Sequence, residues 1–238
     1  MSTPSKDFGS WEPLLHIAYN TLDEGYRKFL ETNTNYFPTK ENYLNAFKTL
    51  EKKNVKYILF GQDPYPRVES AGGYAFIDTN VKTLFSPTGL SKEVNKATSL
   101  RNFIKMALVA NKELSKEDTS QEAITKVDKN KIIESINALR KNFEKNGVLL
   151  LNTALIFTDK KSSTKHVKKW REFIKTILGD LEKEDIKLIL FGTHAKALKK
   201  HLNLEKFKTI ELEHPYNHTF ITNPKALKLF GEMKLLEK

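Results

Sequence analysis

Lys56-Tyr57-Ile58-Leu59-Phe60-Gly61-Gln62-Asp63-Pro64-Tyr65-Pro66-Arg67 is the stretch that decides the fold of this chain. An apolar, β-favouring run stops at a glycine, as a buried strand does at its end. An acid and a tyrosine follow, held between prolines. Proline fixes its own φ, carries no amide hydrogen, and pushes the residue before it out of the helical region. Asp63 and Tyr65 are therefore expected in a stiff turn at the carboxyl end of a strand, where open α/β sheets hold their ligands. The bland alternative is a strand-ending turn whose aspartate bonds its own backbone.

Three further segments follow the same plan. Gly147-Val148-Leu149-Leu150-Leu151-Asn152-Thr153 ends in an amide, and Lys187-Leu188-Ile189-Leu190-Phe191-Gly192-Thr193 ends in a glycine and a hydroxyl. Lys208-Thr209-Ile210-Glu211-Leu212-Glu213-His214-Pro215 ends in a histidine locked by proline. If the four strands run parallel, Asp63, Asn152, Thr193 and His214 lie on one edge. Helical apolar spacing occupies residues 13–33, 43–52, 102–111, 132–145, 170–181, 194–202 and 225–236. Strands alternating with helices predict an α/β fold: a central, mostly parallel four-stranded sheet flanked by helices, three layers α/β/α. A single domain over residues 1–238 is expected, with the charge-dense stretch 112–131 as an exposed loop or peripheral helix.

Composition narrows the function. The chain has no cysteine, which removes disulfides, thiolate nucleophiles, Cys-based zinc sites and iron–sulfur clusters. A zinc-dependent base deaminase is disfavoured for the same reason. Neither a Gly-x-Gly-x-x-Gly turn nor a P-loop is present, so dinucleotide or nucleoside-triphosphate use has no support. The net charge of +11 suits a polyanionic partner such as nucleic acid, although a lysine-rich composition alone gives the same sum. No apolar run approaches a membrane span, and Met1 to Glu12 lacks a basic-then-apolar leader pattern. An intracellular location is expected: cytoplasmic, or nuclear or in a viral factory for a eukaryotic or viral source.

The motifs, taken in order, resemble family 1 uracil-DNA glycosylases. Gly61-Gln62-Asp63-Pro64-Tyr65, Leu149-Leu150-Leu151-Asn152-Thr153-Ala154-Leu155 and His214-Pro215 resemble that family's signatures. Gly73-Tyr74-Ala75-Phe76 is similar to its uracil-stacking segment, and Ser99-Leu100-Arg101-Asn102 to a backbone-contacting element. Gly192-Thr193 resembles a Gly-Ser phosphate contact, and Trp170-Arg171-Glu172-Phe173 a Trp-Glu-x-Phe helix. The resemblance runs from about Asn54 to about Pro215.

It implies a metal-independent, cofactor-free enzyme that flips uracil out of DNA and hydrolyses its glycosidic bond. Such cleavage builds positive charge on the sugar and negative charge on the base. Asp63 would stabilise the cation and orient water, and His214 would donate to uracil O2. Asn152 would read O4 and N3–H, Tyr65 would bar the methyl of thymine, and Phe76 would stack on the base. Backbone amides around Gln62 would also reach O2. DNA contacts would come from Pro64, Pro66, Ser99, Gly192, Thr193 and Pro215, with His218 or Phe220 filling the gap left in the stack. Read singly, each residue has a duller role: a turn cap for His214, a helix cap for Asn152, core for the aromatics.

The implied partner is DNA containing uracil, single- or double-stranded. A proteinaceous inhibitor or a replication protein is a further expected partner, and the chain is expected to act as a monomer. Some positions depart from the family pattern. Pro66 stands where histidine is usual, Lys165 likewise, and Tyr216-Asn217-His218-Thr219 replaces the usual Ser-Pro-Leu-Ser. These changes motivate an alternative, a DNA-binding or processivity scaffold with weak or no activity.

Overall fold

The computed structural model describes residues 8–182 and 185–238. Residues 1–7, which carry most of the stretch inspected for a leader, lie outside the described residues. In chain order the elements are α1 (Glu12–Asn20), α2 (Glu24–Thr32), β1 (Tyr57–Gly61), β2 (Phe85–Ser86), β3 (Gly89–Leu90), α3 (Lys92–Lys96) and α4 (Thr98–Ala110). Then come α5 (Gln121–Thr125), α6 (Ile136–Lys145), β4 (Val148–Asn152), α7 (Ser163–Leu181), β5 (Lys187–Phe191), α8 (His194–His201), β6 (Lys208–Leu212) and α9 (Pro224–Met233). The chain forms two compact units, Met1–Asp78 with Gly147–Glu211, and Thr79–Asn146 with Leu212–Lys238.

The expected α/β sheet is present, with strand order β4-β1-β5-β6. The central strand β1 pairs in parallel with β4 and with β5. Its register sets Phe60 against Leu151 and Gly61 against Asn152, so the first and second signature motifs end side by side. Val148 to Asn152 are all buried, as a central parallel strand requires. Alternate residues Ile58 and Phe60, Leu149 and Leu151, Leu188 and Leu190 join one apolar cluster with Trp11, Phe47, Trp170 and Phe173.

The helix α7 matters most for the site. Its buried residues are Ser163, His166, Trp170, Phe173, Ile174, Ile177, Leu178 and Leu181, a stripe of helical period. The first two members of that stripe are polar. The spacing predicts a helix from Trp170, but the helix begins at Ser163, one polar face earlier.

Two other expectations change. Residues 13–33 form two helices, because the Asp23 carboxylate caps α2 by accepting from Tyr26 N at 3.0 Å. Residues 43–52 do not form an α-helix but turns and a short 3₁₀ segment, Asn45–Phe47. Asn45 there bonds Asn42 Oδ1 and Gly72 O, and the Trp11 indole bonds Leu50 O at 2.6 Å. Tertiary bonds from Asn45 and to Leu50 thus hold this segment in its turns.

In the second unit, Phe103, Phe143, Phe220 and Phe230 pack as one aromatic cluster. The stretch 112–131 is mostly exposed, yet Leu114, Ile124 and Val127 are buried and α5 lies within it. No helix among the described residues is long and apolar enough to cross a membrane.

Candidate functional site

The end of β1 delivers Gln62 and Asp63 into the turn that the prolines stiffen. The Gln62 carbonyl is spent on Thr153 Oγ1 at 2.8 Å and on Ala154 N at 2.9 Å, and Gly61 O accepts from Thr153 N at 3.0 Å. These bonds weld the first motif to the second. The Asp63 carboxylate is half-buried and accepts from Ser163 Oγ at 2.9 Å. Ser163 in turn accepts from the Gln62 side-chain Nε2 at 3.1 Å.

Three residues further along α7, His166 is buried between two hydroxyls. Its Nδ1 lies 2.7 Å from Tyr26 Oη and its Nε2 2.9 Å from Thr158 Oγ1. Burial, with help from Lys165, lowers its pKa, against the pull of the Asp159 and Asp63 carboxylates. His166 is therefore a neutral, structural histidine.

Asn152 is only 5% exposed, yet no hydrogen bond to its carboxamide is made within the described residues. An amide without a protein partner keeps its donor and acceptor edges for a ligand or water. It sits beside Gly61, and the missing side chain of that glycine is what makes room for it. A Cβ at residue 61 would stand 2.1 Å from Asn152 Oδ1.

The aromatic residues arrive on the segment 73–76. Gly73 has φ +84°, and a Cβ there would meet Asn42 O at 2.0 Å. Phe76 has φ +68°, a left-handed conformation that a bulky residue rarely adopts. Its ring lies 6.1 Å from that of Phe191, and its carbonyl accepts from Tyr65 Oη at 3.3 Å. Burial raises the Tyr65 pKa, the Asp78 carboxylate adds to the rise and Arg67 opposes it. Tyr65 thus stays a neutral phenol, fixed at its tip. Asp63, Gln62, Tyr65, Phe76 and Asn152 all belong to the first unit.

The second unit carries His214. Its Nδ1 accepts from Tyr216 N at 3.0 Å. A ring nitrogen facing an amide hydrogen holds no proton of its own, so the proton of the neutral ring sits on Nε2. The loop after it is clamped from inside. Asn102 Nδ2 reaches the carbonyls of Pro215, Tyr216 and Asn217 at 2.8, 3.2 and 3.3 Å. The Glu213 carboxylate accepts from Thr219 Oγ1 and from Asn223 Nδ2.

Several expected DNA contacts are repositioned. Phe220 is fully buried and stacked on Phe103 at 6.2 Å, so it is core and not a ring for the base stack. A 3₁₀ turn, His218–Thr222, swings it inward while His218 stays exposed. Tyr216, named from the sequence only as part of the departure from the family pattern, is 67% exposed. Pro64 and Pro215 are buried, which leaves them little surface for DNA; they fix the backbone at Asp63 and His214. Pro66 and Thr193 are exposed, and Ser99 and Gly192 are partly so.

Ser163 and Glu213 are supporting residues that sequence reading missed, and Asn102, named there only within a backbone-contacting element, clamps the loop after His214. The signal for Ser163 was there: 163, 166, 170, 173 and 177 keep helical spacing. The superfamily profile for uracil DNA glycosylases matches residues 47–232. A uracil-DNA glycosylase of Mesomycoplasma hyopneumoniae is 31% identical over 216 residues, covering 89% of this chain and 81% of that protein. One from Francisella tularensis is 29% identical, covering 75% of this chain and 69% of that protein. The crystal structure of the UNG from Nitratifractor salsuginis superposes with a TM-score of 0.94 at 53% identity, covering 96% of this chain and 92% of its own. A mimivirus uracil-DNA glycosylase shares the fold at 18% identity and a TM-score of 0.55. With a profile spanning most of its length and relatives at these identities, this chain belongs to the uracil DNA glycosylase superfamily.

Proposed function

We propose that this chain is a uracil-DNA glycosylase that hydrolyses the bond between uracil and deoxyribose and leaves an abasic site. The observation that carries this is the Asn152 carboxamide, nearly buried, without a hydrogen-bond partner among the described residues, and given its space by Gly61. An amide offers one donor and one acceptor edge. Uracil presents an acceptor at O4 and a donor at N3, and cytosine presents the reverse at position 4. A site that satisfies the first pattern leaves the second with unpaired groups, which is the strongest form of discrimination available to a binding site.

The remaining roles follow from charge. The breaking bond leaves an oxocarbenium-like sugar and an anionic base. Asp63 answers the first with a fixed negative charge and aims the attacking water. His214 answers the second with a neutral donor at Nε2, and no full proton transfer is needed. Tyr65, its hydroxyl tied to Phe76 O, closes the space that a 5-methyl would need. Phe76 stacks on the base. Ser99 and Thr193 hold phosphates, which positions the strand without reading sequence. The substrate is DNA containing uracil, single- or double-stranded, and the chain is proposed to act as a monomer. A scaffold protein would have no use for a carboxylate anchored at Asp63.

The test is direct. A uracil-containing oligonucleotide is incubated with the protein in EDTA and then heated in alkali. Cleavage at the uracil position is expected. An intact strand, or cleavage that requires added Mg²⁺ or Zn²⁺, would overturn the mechanism.

A further inference from the structure

We infer that Ser163 is a positioning residue for Asp63, with the Gln62 side chain setting the direction of its proton. The inference rests on the glycosylase reading of Asp63. Ser163 lies 100 positions from Asp63 in sequence. Its hydroxyl has one proton to give. Gln62 Nε2 donates to Ser163 Oγ at 3.1 Å, which occupies an acceptor site on that oxygen. The hydroxyl proton then goes to Asp63 Oδ2 at 2.9 Å. Among the described residues this is the one hydrogen bond made to the Asp63 carboxylate. It holds Oδ2 and leaves Oδ1 for water and the sugar.

Ser163 is itself tightly fixed. It is 7% exposed and heads the buried stripe of α7. The turn before it is tied by Asp159, whose Oδ1 accepts from Lys161 N at 2.8 Å and Ser162 N at 3.1 Å. Asp159 Oδ2 accepts from Ser162 Oγ at 2.8 Å. Neither bond of the Ser163 hydroxyl goes to the backbone of its own helix, so it does not serve as a cap. Its place at the first turn of a 19-residue helix adds the positive end of the helix dipole beside the anion. A carboxylate that must stabilise a cation at one place gains from being held at one angle, and a 1 Å misplacement costs about a hundredfold in rate.

The test is a mutant cycle read by single-turnover uracil release and by KM. Ser163→Ala is expected to lose about tenfold to a hundredfold in rate with KM nearly unchanged. The isosteric pair Ser163→Thr and Ser163→Val separates the hydroxyl from packing, and Thr should recover most of the rate where Val does not. In an Asp63→Asn background, Ser163→Ala should cost less than about threefold, because no anion remains to be held. Equal losses in both backgrounds, or equal rates for Thr and Val, would reduce Ser163 to a packing residue of α7. Wild-type protein that releases no uracil sinks the glycosylase reading and this inference with it. A working wild type with additive variants sinks this inference alone.

Discussion

Gly61→Ala puts the proposed base-reading geometry under direct strain. Gly61 ends β1 opposite Asn152, and the added methyl would stand 2.1 Å from Asn152 Oδ1 and 3.0 Å from Ala75 Cβ. To regain van der Waals distance, the carboxamide oxygen must retreat by more than about 1 Å. The backbone cannot take up that shift easily, because Gly61 O and Gln62 O are bonded to Thr153 and Ala154. The side chain must rotate instead, and its amide loses aim. A displacement of that size costs about a hundredfold in rate. Overpacking costs about 1–3 kcal/mol in stability, and at about 2–4 °C per kcal/mol for a chain of this size the melting temperature should fall by several degrees. Single-turnover release from a uracil oligonucleotide and a thermal melt measure the two effects. Adding Asn152→Ala removes the clashing oxygen, so the double variant should regain melting temperature and stay inactive. A Gly61→Ala protein within about threefold of wild-type rate would refute the reasoning, since a 1 Å shift of a working Asn152 cannot be that cheap.

Other outcomes test other parts of the site. Asn152→Asp should release some cytosine and Tyr65→Ala some thymine, read by chromatography of the freed base; unchanged product spectra in both would refute the pocket assignment. With Phe220 in the core, the exposed rings on the clamped loop are Tyr216 and His218. If one of them fills the emptied stack, Tyr216→Ala or His218→Ala should slow release from duplex DNA about tenfold more than from single strands, as loss of a stacking ring does. Equal losses on both substrates, or none, would point to flipping without a ring. His166 gives a pH signature. Its folded pKa is lowered by burial, so the unfolded chain binds the extra proton. Its contribution is fully present above the unfolded value of about 6.5 and is lost as pH falls through that value toward the folded one. His166→Gln should flatten melting temperature against pH in that window, and parallel profiles for the two proteins would refute the assignment.

The sequence by itself determined the elements whose physics is local. A run of β-favouring residues ending at Gly61, and prolines on both sides of Asp63 and Tyr65, admit few backbone conformations. The strand ends at Asn152 and Phe191 were legible for the same reason, and so was the α/β class. Tertiary structure decided whatever depended on residues distant in sequence. Tyr43 to Lys52 reads as a helix, but the Asn45 side chain donates to Gly72 O and the Trp11 indole donates to Leu50 O, which hold it in turns. Phe220 and Tyr216 are both aromatic and four positions apart, and no local rule tells them apart. A 3₁₀ turn and the Phe103 ring bury the first, and the Asn102 clamp leaves the second at the surface. The hydroxyl that holds Asp63 comes from the head of a helix 100 positions away. Pattern and propensity act over a few residues, whereas a hydrogen bond between two side chains depends only on where the packed core leaves them.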